Sequence, residues 1–178
     1  MVSDTGPRVQ RGLFHFMAEQ RTFPLPARPG QSYHVSPRSF GSARDGGKRK
    51  HAGCDLYAAP GTAVLAVADG TVKRAIYPFY DVVFALEIDH PGVGTVRYGE
   101  IATTPVGLKV GDAVKAGQVI GTVGKMVSVK QAMLHFELYA GTGQGQLTDR
   151  ARAPYMRRAD LLDPTSFLDG CAVKEVTA

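Results

Sequence analysis

Glycine and proline cut the middle of this chain into short pieces, and that punctuation restricts the fold more than any other feature. Residues 63–68 form an apolar run bounded by Pro60-Gly61 and by Asp69-Gly70, the latter a strong hairpin signal. Residues 71–76 return, 82–89 alternate loosely, His90-Pro91-Gly92 turns, and 95–101 come back. Residues 110–123 show the glycine spacing of a compact hairpin, and 132–140 are the last clear strand. With 21 Gly and 11 Pro, turns are frequent and the elements between them are short strands. The expected fold is mostly β: one antiparallel sheet domain with a groove over one face and few short helices.

Three residues in this framework have the side chains of an open metal site. His51 and Asp55 stand four positions apart, and His135 arrives about eighty residues later. Two histidines and a carboxylate suit a zinc ion that keeps a fourth position free. A straight strand from His51 to Asp55 would separate their Cα atoms by ~13 Å at about 3.3 Å per residue. That is too far for bonds of roughly 2.0–2.2 Å, so the chain must bend, and Gly53 lies at the midpoint. Strand alternation puts Met133, His135, Glu137 and Tyr139 on one face, with Leu134, Phe136 and Leu138 on the other. Glu137 is thus placed for a supporting hydrogen bond to His135. In the earlier strand Val96, Tyr98 and Glu100 share a face by the same rule. A carboxylate there suggests a site, although edge strands also carry charges against aggregation.

These residues resemble the lysostaphin-type, or LytM-like, zinc endopeptidases that cut peptidoglycan cross-links. His51-x-x-x-Asp55 matches the family's first ligand pair, and His135 matches the second histidine of its His-x-His element. The likeness continues through 56–72, Val110-Gly111-Asp112 and 117–124, and covers roughly 24–168. It implies a LytM-like fold, a zinc ion on His51, Asp55 and His135, and peptidoglycan peptides as substrate. Two positions depart from the family. Met133 replaces the first histidine of His-x-His, and Glu100 replaces the other active-site histidine. By resemblance, Glu100 becomes the candidate general base, with Met133, Tyr98, His34 and Lys50 as candidate substrate contacts.

At 178 residues the chain is long enough for one domain with a real core. We divide it into an N-terminal arm (1–22), the LytM-like domain (23–170) and a flexible tail (171–178). A short amphipathic helix is expected near 13–18, His15 belongs to the arm, and 159–163 and 164–168 read as two helical turns. His90 is expected to be exposed in its turn, Cys54 to point into the core, and 149–158 to lie on the surface. The net charge of +5 and the run Lys48-Arg49-Lys50 favour acidic partners such as an anionic wall polymer or peptide carboxylates. Nucleic acid is not the expected partner. Two cysteines make no disulfide framework.

No apolar run approaches the ~20 residues of a membrane span, and 12–17 is too short for a signal-peptide core. Either a leader has been removed or the protein reaches the wall by a route that needs none. The resemblance implies a periplasmic or extracellular site of action, and the second route implies delivery by a specialised secretion system or a phage particle. An immunity protein or a secretion-apparatus component would then be a further partner. A non-catalytic wall-binding or regulatory module on the same sheet is the rival reading. A closed structural site with Glu100 as fourth ligand is a third.

Overall fold

The computed structural model describes residues 21–102 and 107–174. The helix expected near 13–18 and His15 lie outside them. Eleven strands follow in order: β1 Ala43–Arg44, β2 Arg49–Lys50, β3 Cys54–Tyr57, β4 Ala63–Leu65, β5 Gly70–Tyr80, β6 Val83–His90, β7 Gly94–Ile101, β8 Ala113–Val114, β9 Val119–Thr122, β10 Met133–Tyr139 and β11 Leu161–Leu162. One short helix, α1 Thr165–Asp169, comes after them. The protein is mostly antiparallel β, as the punctuation predicts.

Seven strands make the main sheet in the order β11-β10-β7-β6-β5-β8, with β3 also paired to β10. Strand β10 is the hinge of this arrangement. On one side it pairs with β7, and on the other first with β3 and then with β11. Its even-numbered side chains, Leu134, Phe136 and Leu138, enter the main core with Leu56, Cys54, Leu86, Ile88 and Tyr98. That core is closed by Val64 and Ile120 from the β4–β9 pair, by Phe23 and Leu25, and by Leu168 from α1. At roughly 1.5–3 kcal/mol for each large apolar side chain buried, this face carries most of the folding energy. The opposite face is left to polar chemistry.

Several local expectations change. Asp69-Gly70 does not join a hairpin, because β4 pairs with β9 and β5 with β6 and β8. The Asp69 carboxylate instead accepts Ala116 N–H (2.9 Å) and Lys115 Nζ (2.7 Å), tying this corner to the β8–β9 turn. Leu161–Leu162 is a strand rather than a helical turn, since the end of β10 offers it a free edge. The tail is packed through its first residues: Cys171 is buried, and Ala172 exchanges backbone hydrogen bonds with Arg21 and Phe23.

Candidate metal centre

Asp55 and His135 lie directly opposite one another on β3 and β10, so both project from the polar face. His51 precedes β3 and returns to them through Ala52-Gly53. Gly53 is needed for close approach rather than for an unusual backbone angle. A Cβ there would stand 2.3 Å from the Phe136 carbonyl oxygen and 3.1 Å from the His135 ring. His51 Nε2 lies 3.1 Å from His135 Nδ1 and 3.0 Å from Asp55 Oδ1, and His135 Nδ1 lies 2.9 Å from Asp55 Oδ1. These three buried groups can hold a metal ion. Their spacing is close to the roughly 3.4 Å edge of a tetrahedral zinc site with bonds of about 2.1 Å.

The remaining donors and acceptors are spoken for. Ser39 O can only accept, so His51 Nδ1 carries the proton of their 2.9 Å bond. His135 Nε2 donates to Glu137 Oε1 at 2.9 Å. Each bond fixes the tautomer that, when the ring is neutral, turns the other nitrogen's lone pair inward; a proton held there instead is donated to Asp55 Oδ1. Arg44 Nη2 takes the outer oxygen of Asp55 at 3.1 Å.

Burial works to raise the Asp55 pKa, but hydrogen bonds from His135 and His51 outweigh it and hold the carboxyl well below the usual range. Burial likewise opposes charge on His135, yet Asp55 and Glu137 draw its pKa up to about 9. The centre therefore favours positive charge among its donors, which a bound cation would supply in place of a proton.

Glu100 reaches this centre by a β-bulge. Phe84 pairs with Ile101 and Ala85 with Gly99, which leaves Glu100 as the extra residue of β7. Its φ of 62° lies in the left-handed region, uncommon for a residue with a side chain. The bulge breaks the alternation that would have grouped it with Tyr98. Its carboxyl group is instead in the electrostatic field of His135, Asp55 and Arg44. Oε2 is buried without a hydrogen-bond partner among the described residues. Burial, with Asp55's charge adding, pushes its pKa up to about 7 against the pull of His135 and Arg44. Strand β7 lies between β6 and β10, so guarding a sheet edge does not account for this carboxylate.

Met133 shares the face of His135, as alternation predicts, and packs with Val83, Met126 and Tyr57. Lys50 is exposed beside His51, its backbone N–H held by Pro154 O. Two candidate substrate contacts are corrected. Tyr98 is fully buried on the core face, because only Glu100, and not Tyr98, is turned by the bulge. The Tyr98 oxygen accepts Val67 N–H at 3.1 Å and its proton goes to His90 Nε2 at 2.9 Å. His90 is therefore buried rather than exposed. His34 turns away to stack on Tyr33 and pair with Asp169 Oδ1 at 3.0 Å. Replacing Tyr98 by Phe leaves two buried polar groups unpaired. It is expected to lower stability by ~1–3 kcal/mol in denaturant titration while metal content stays unchanged.

Sequence reasoning missed the charges behind Glu137. Glu87, Arg97 and Glu137 stand side by side across β6, β7 and β10. Arg97 Nη1 donates to Glu137 Oε2 (2.9 Å) and Nη2 to Glu87 Oε1 (3.1 Å). Phe79 stacks over His135 and lies against the Arg97 guanidinium, closing this row from solvent. The signal was present as Glu87, Arg97 and Glu137 inside three largely apolar strands, but it needs their register to be seen.

Residues 49–149, more than half of the chain, match Peptidase family M23. The chain belongs to that family. Among solved structures, this M23 chain is similar to the catalytic domain of the antimicrobial peptidase lysostaphin from Staphylococcus simulans. That likeness has 26% identity over 74% of this chain and 89% of the other, with a TM-score of 0.56. It is also similar to LytU, with 26% identity over 80% and 89% of the two chains and a TM-score of 0.61. A zinc-containing peptidase from Vibrio cholerae matches at 25% identity over 68% of this chain and 38% of its own, with a TM-score of 0.52. No curated protein matches. The M23 fold expected from the sequence is thus the fold found. No helix among the described residues is long and apolar enough to cross a membrane.

Proposed function

We propose that this M23 chain is a zinc-dependent peptidoglycan hydrolase that cuts peptide cross-links of the bacterial wall. The observation that carries the reading is the triangle of His51 Nε2, Asp55 Oδ1 and His135 Nδ1, with each histidine's other nitrogen tied to an acceptor. Kinship with lysostaphin-like peptidases supports the substrate class. When bound, zinc supplies Lewis acidity toward the scissile carbonyl and acidifies the attacking water.

The chain's own residues do the rest. Arg44 keeps the outer oxygen of Asp55 occupied, so Oδ1 alone faces the two histidines. Glu100 accepts the water's proton on its unpartnered Oε2 and returns it to the leaving amine. Met133 makes its side of the pocket apolar where the family carries an imidazole. Lys50, exposed at the rim, offers charge to a substrate carboxylate or an anionic wall polymer. Action in the periplasm or outside the cell goes with that substrate, and kinship with lysostaphin supports it.

Incubation with purified peptidoglycan is expected to release cross-link peptides, to stop with a chelator and to resume with zinc. Binding without release would favour the second reading, a non-catalytic wall-binding module. Met133 and Glu100, standing where the family has histidines, are what favours that reading. Zinc prefers imidazole and carboxylate to a thioether, so Met133 lies beside the ion without binding it. Met133→His is therefore expected to leave zinc content unchanged by metal analysis. A large loss of zinc would show that this position holds the centre together.

A further inference from the structure

We propose that residues 147–158 form a clasp, with Arg157 as its working residue, that positions both histidines of the metal centre; the inference rests on reading that centre as a zinc site. The sequence suggested only a basic surface stretch here. The structure turns its end inward. Arg157 donates from Nε to Glu137 Oε1 at 2.8 Å, and its Nη2 lies 2.7 Å from the same oxygen. That oxygen also accepts the Nε2 proton of His135. Arg97 and Tyr139 donate to the other oxygen, Oε2. Glu137 is fully buried, so every one of these partners is needed to keep it charged there.

The division of labour is geometric. Arg97 is already shared between Glu137 and Glu87. Arg157 alone fixes Oε1, the oxygen that orients His135. Without Arg157, Glu137 keeps only the arginine it shares with Glu87 and is free to turn toward it. His135 then loses the acceptor that sets its tautomer and ring angle.

The same segment reaches the other histidine. Pro154 O accepts the N–H of Lys50, the residue before His51, at 2.9 Å. The Tyr155 ring stacks on Phe40, 4.9 Å between centroids, next to Ser39, whose carbonyl holds His51 Nδ1. The segment is closed on itself by Arg158 N–H to Leu147 O (2.9 Å) and by the Arg158–Asp160 pair (2.6 Å). Arg157 itself lies beyond the M23-matched residues 49–149.

The test compares zinc affinity of the full chain, by competition with a chromophoric chelator, for wild type, Arg157→Met, Arg157→Lys and the exposed control Lys109→Met, outside the clasp. Loss of an outer support of a ligand histidine typically weakens metal binding by ~10–100-fold, and Arg157→Met is expected in that range. Arg157→Lys keeps the charge without the forked N–H groups, so it should recover part of the affinity and remain several-fold weaker than wild type. Lys109→Met should bind as wild type does. In zinc-loaded protein labelled with 15N-histidine, the His135 Nε2–H should be protected from exchange in wild type and exchange faster in Arg157→Met.

A folded Arg157→Met protein with wild-type affinity and an unchanged Nε2–H signal would overturn the clasp. Should that variant not fold, Arg157→Lys with wild-type affinity, or wild type lacking a protected His135 Nε2–H, would overturn it equally. Wild-type protein that takes up no zinc would overturn the metal reading and this inference with it. Tight wild-type binding matched by the Arg157 variants would remove the clasp alone.

Discussion

Glu100→Gln is expected to cut peptide hydrolysis by orders of magnitude and leave zinc content untouched. The amide keeps the shape of the side chain and removes its basicity. General-base catalysis by a positioned side chain contributes typically 10²–10⁴-fold, and the loss in kcat/KM should fall in that range. The pH profile carries a second signature. Burial pushes the Glu100 pKa up to about 7, so in the ordinary acidic range the group is protonated and cannot accept a proton. Activity should therefore rise with pH as Glu100 ionises. A bound dication beside it favours the anion and moves that rise to or below neutrality. The mutant's residual rate should lack the Glu100 limb. If zinc is lost together with activity, Glu100 is a ligand and not the base.

His51→Ala and His135→Ala are expected to lose near-stoichiometric zinc altogether, a larger effect than the ~10–100-fold expected for an outer support. Each imidazole supplies one corner of a triangle whose edges are only 2.9–3.1 Å. Removing one also strips a hydrogen bond from Asp55, whose carboxyl depends on both histidines for its low pKa. Metal analysis after dialysis against a chelator reads the result. Either variant retaining wild-type zinc would place the ion elsewhere.

Much of this was legible before the structure, for reasons that can be named. Period-two alternation fixed the faces of β10, so Met133, His135 and Glu137 were grouped correctly without knowledge of their partners. The His51–Asp55 spacing demanded a bend, and the bend is there, although Gly53 serves it by letting the chain pass Phe136 rather than by its backbone angles. The same alternation misled at Glu100 and Tyr98, because a one-residue bulge inverts the pattern, and the glycine beside Glu100, Gly99, is its local sign. His90 looked exposed because it borders a Pro-Gly turn, yet Tyr98 across the β6–β7 hairpin and Asp69 from before β5 draw it inward. Arg157 was unreadable for a related reason: its partner Glu137 is twenty residues away and becomes adjacent only through the return of 147–158. Local pattern reports faces; long-range register decides which charges meet.

Diffraction from crystals of the zinc-loaded protein, recorded at the zinc absorption edge, tests the central claim most directly. The account predicts one anomalous peak within about 2.0–2.2 Å of His51 Nε2, Asp55 Oδ1 and His135 Nδ1, with the Glu100 carboxylate outside bonding distance. A peak bonded to Glu100 as well, closing the shell, or no peak among these residues, would contradict it.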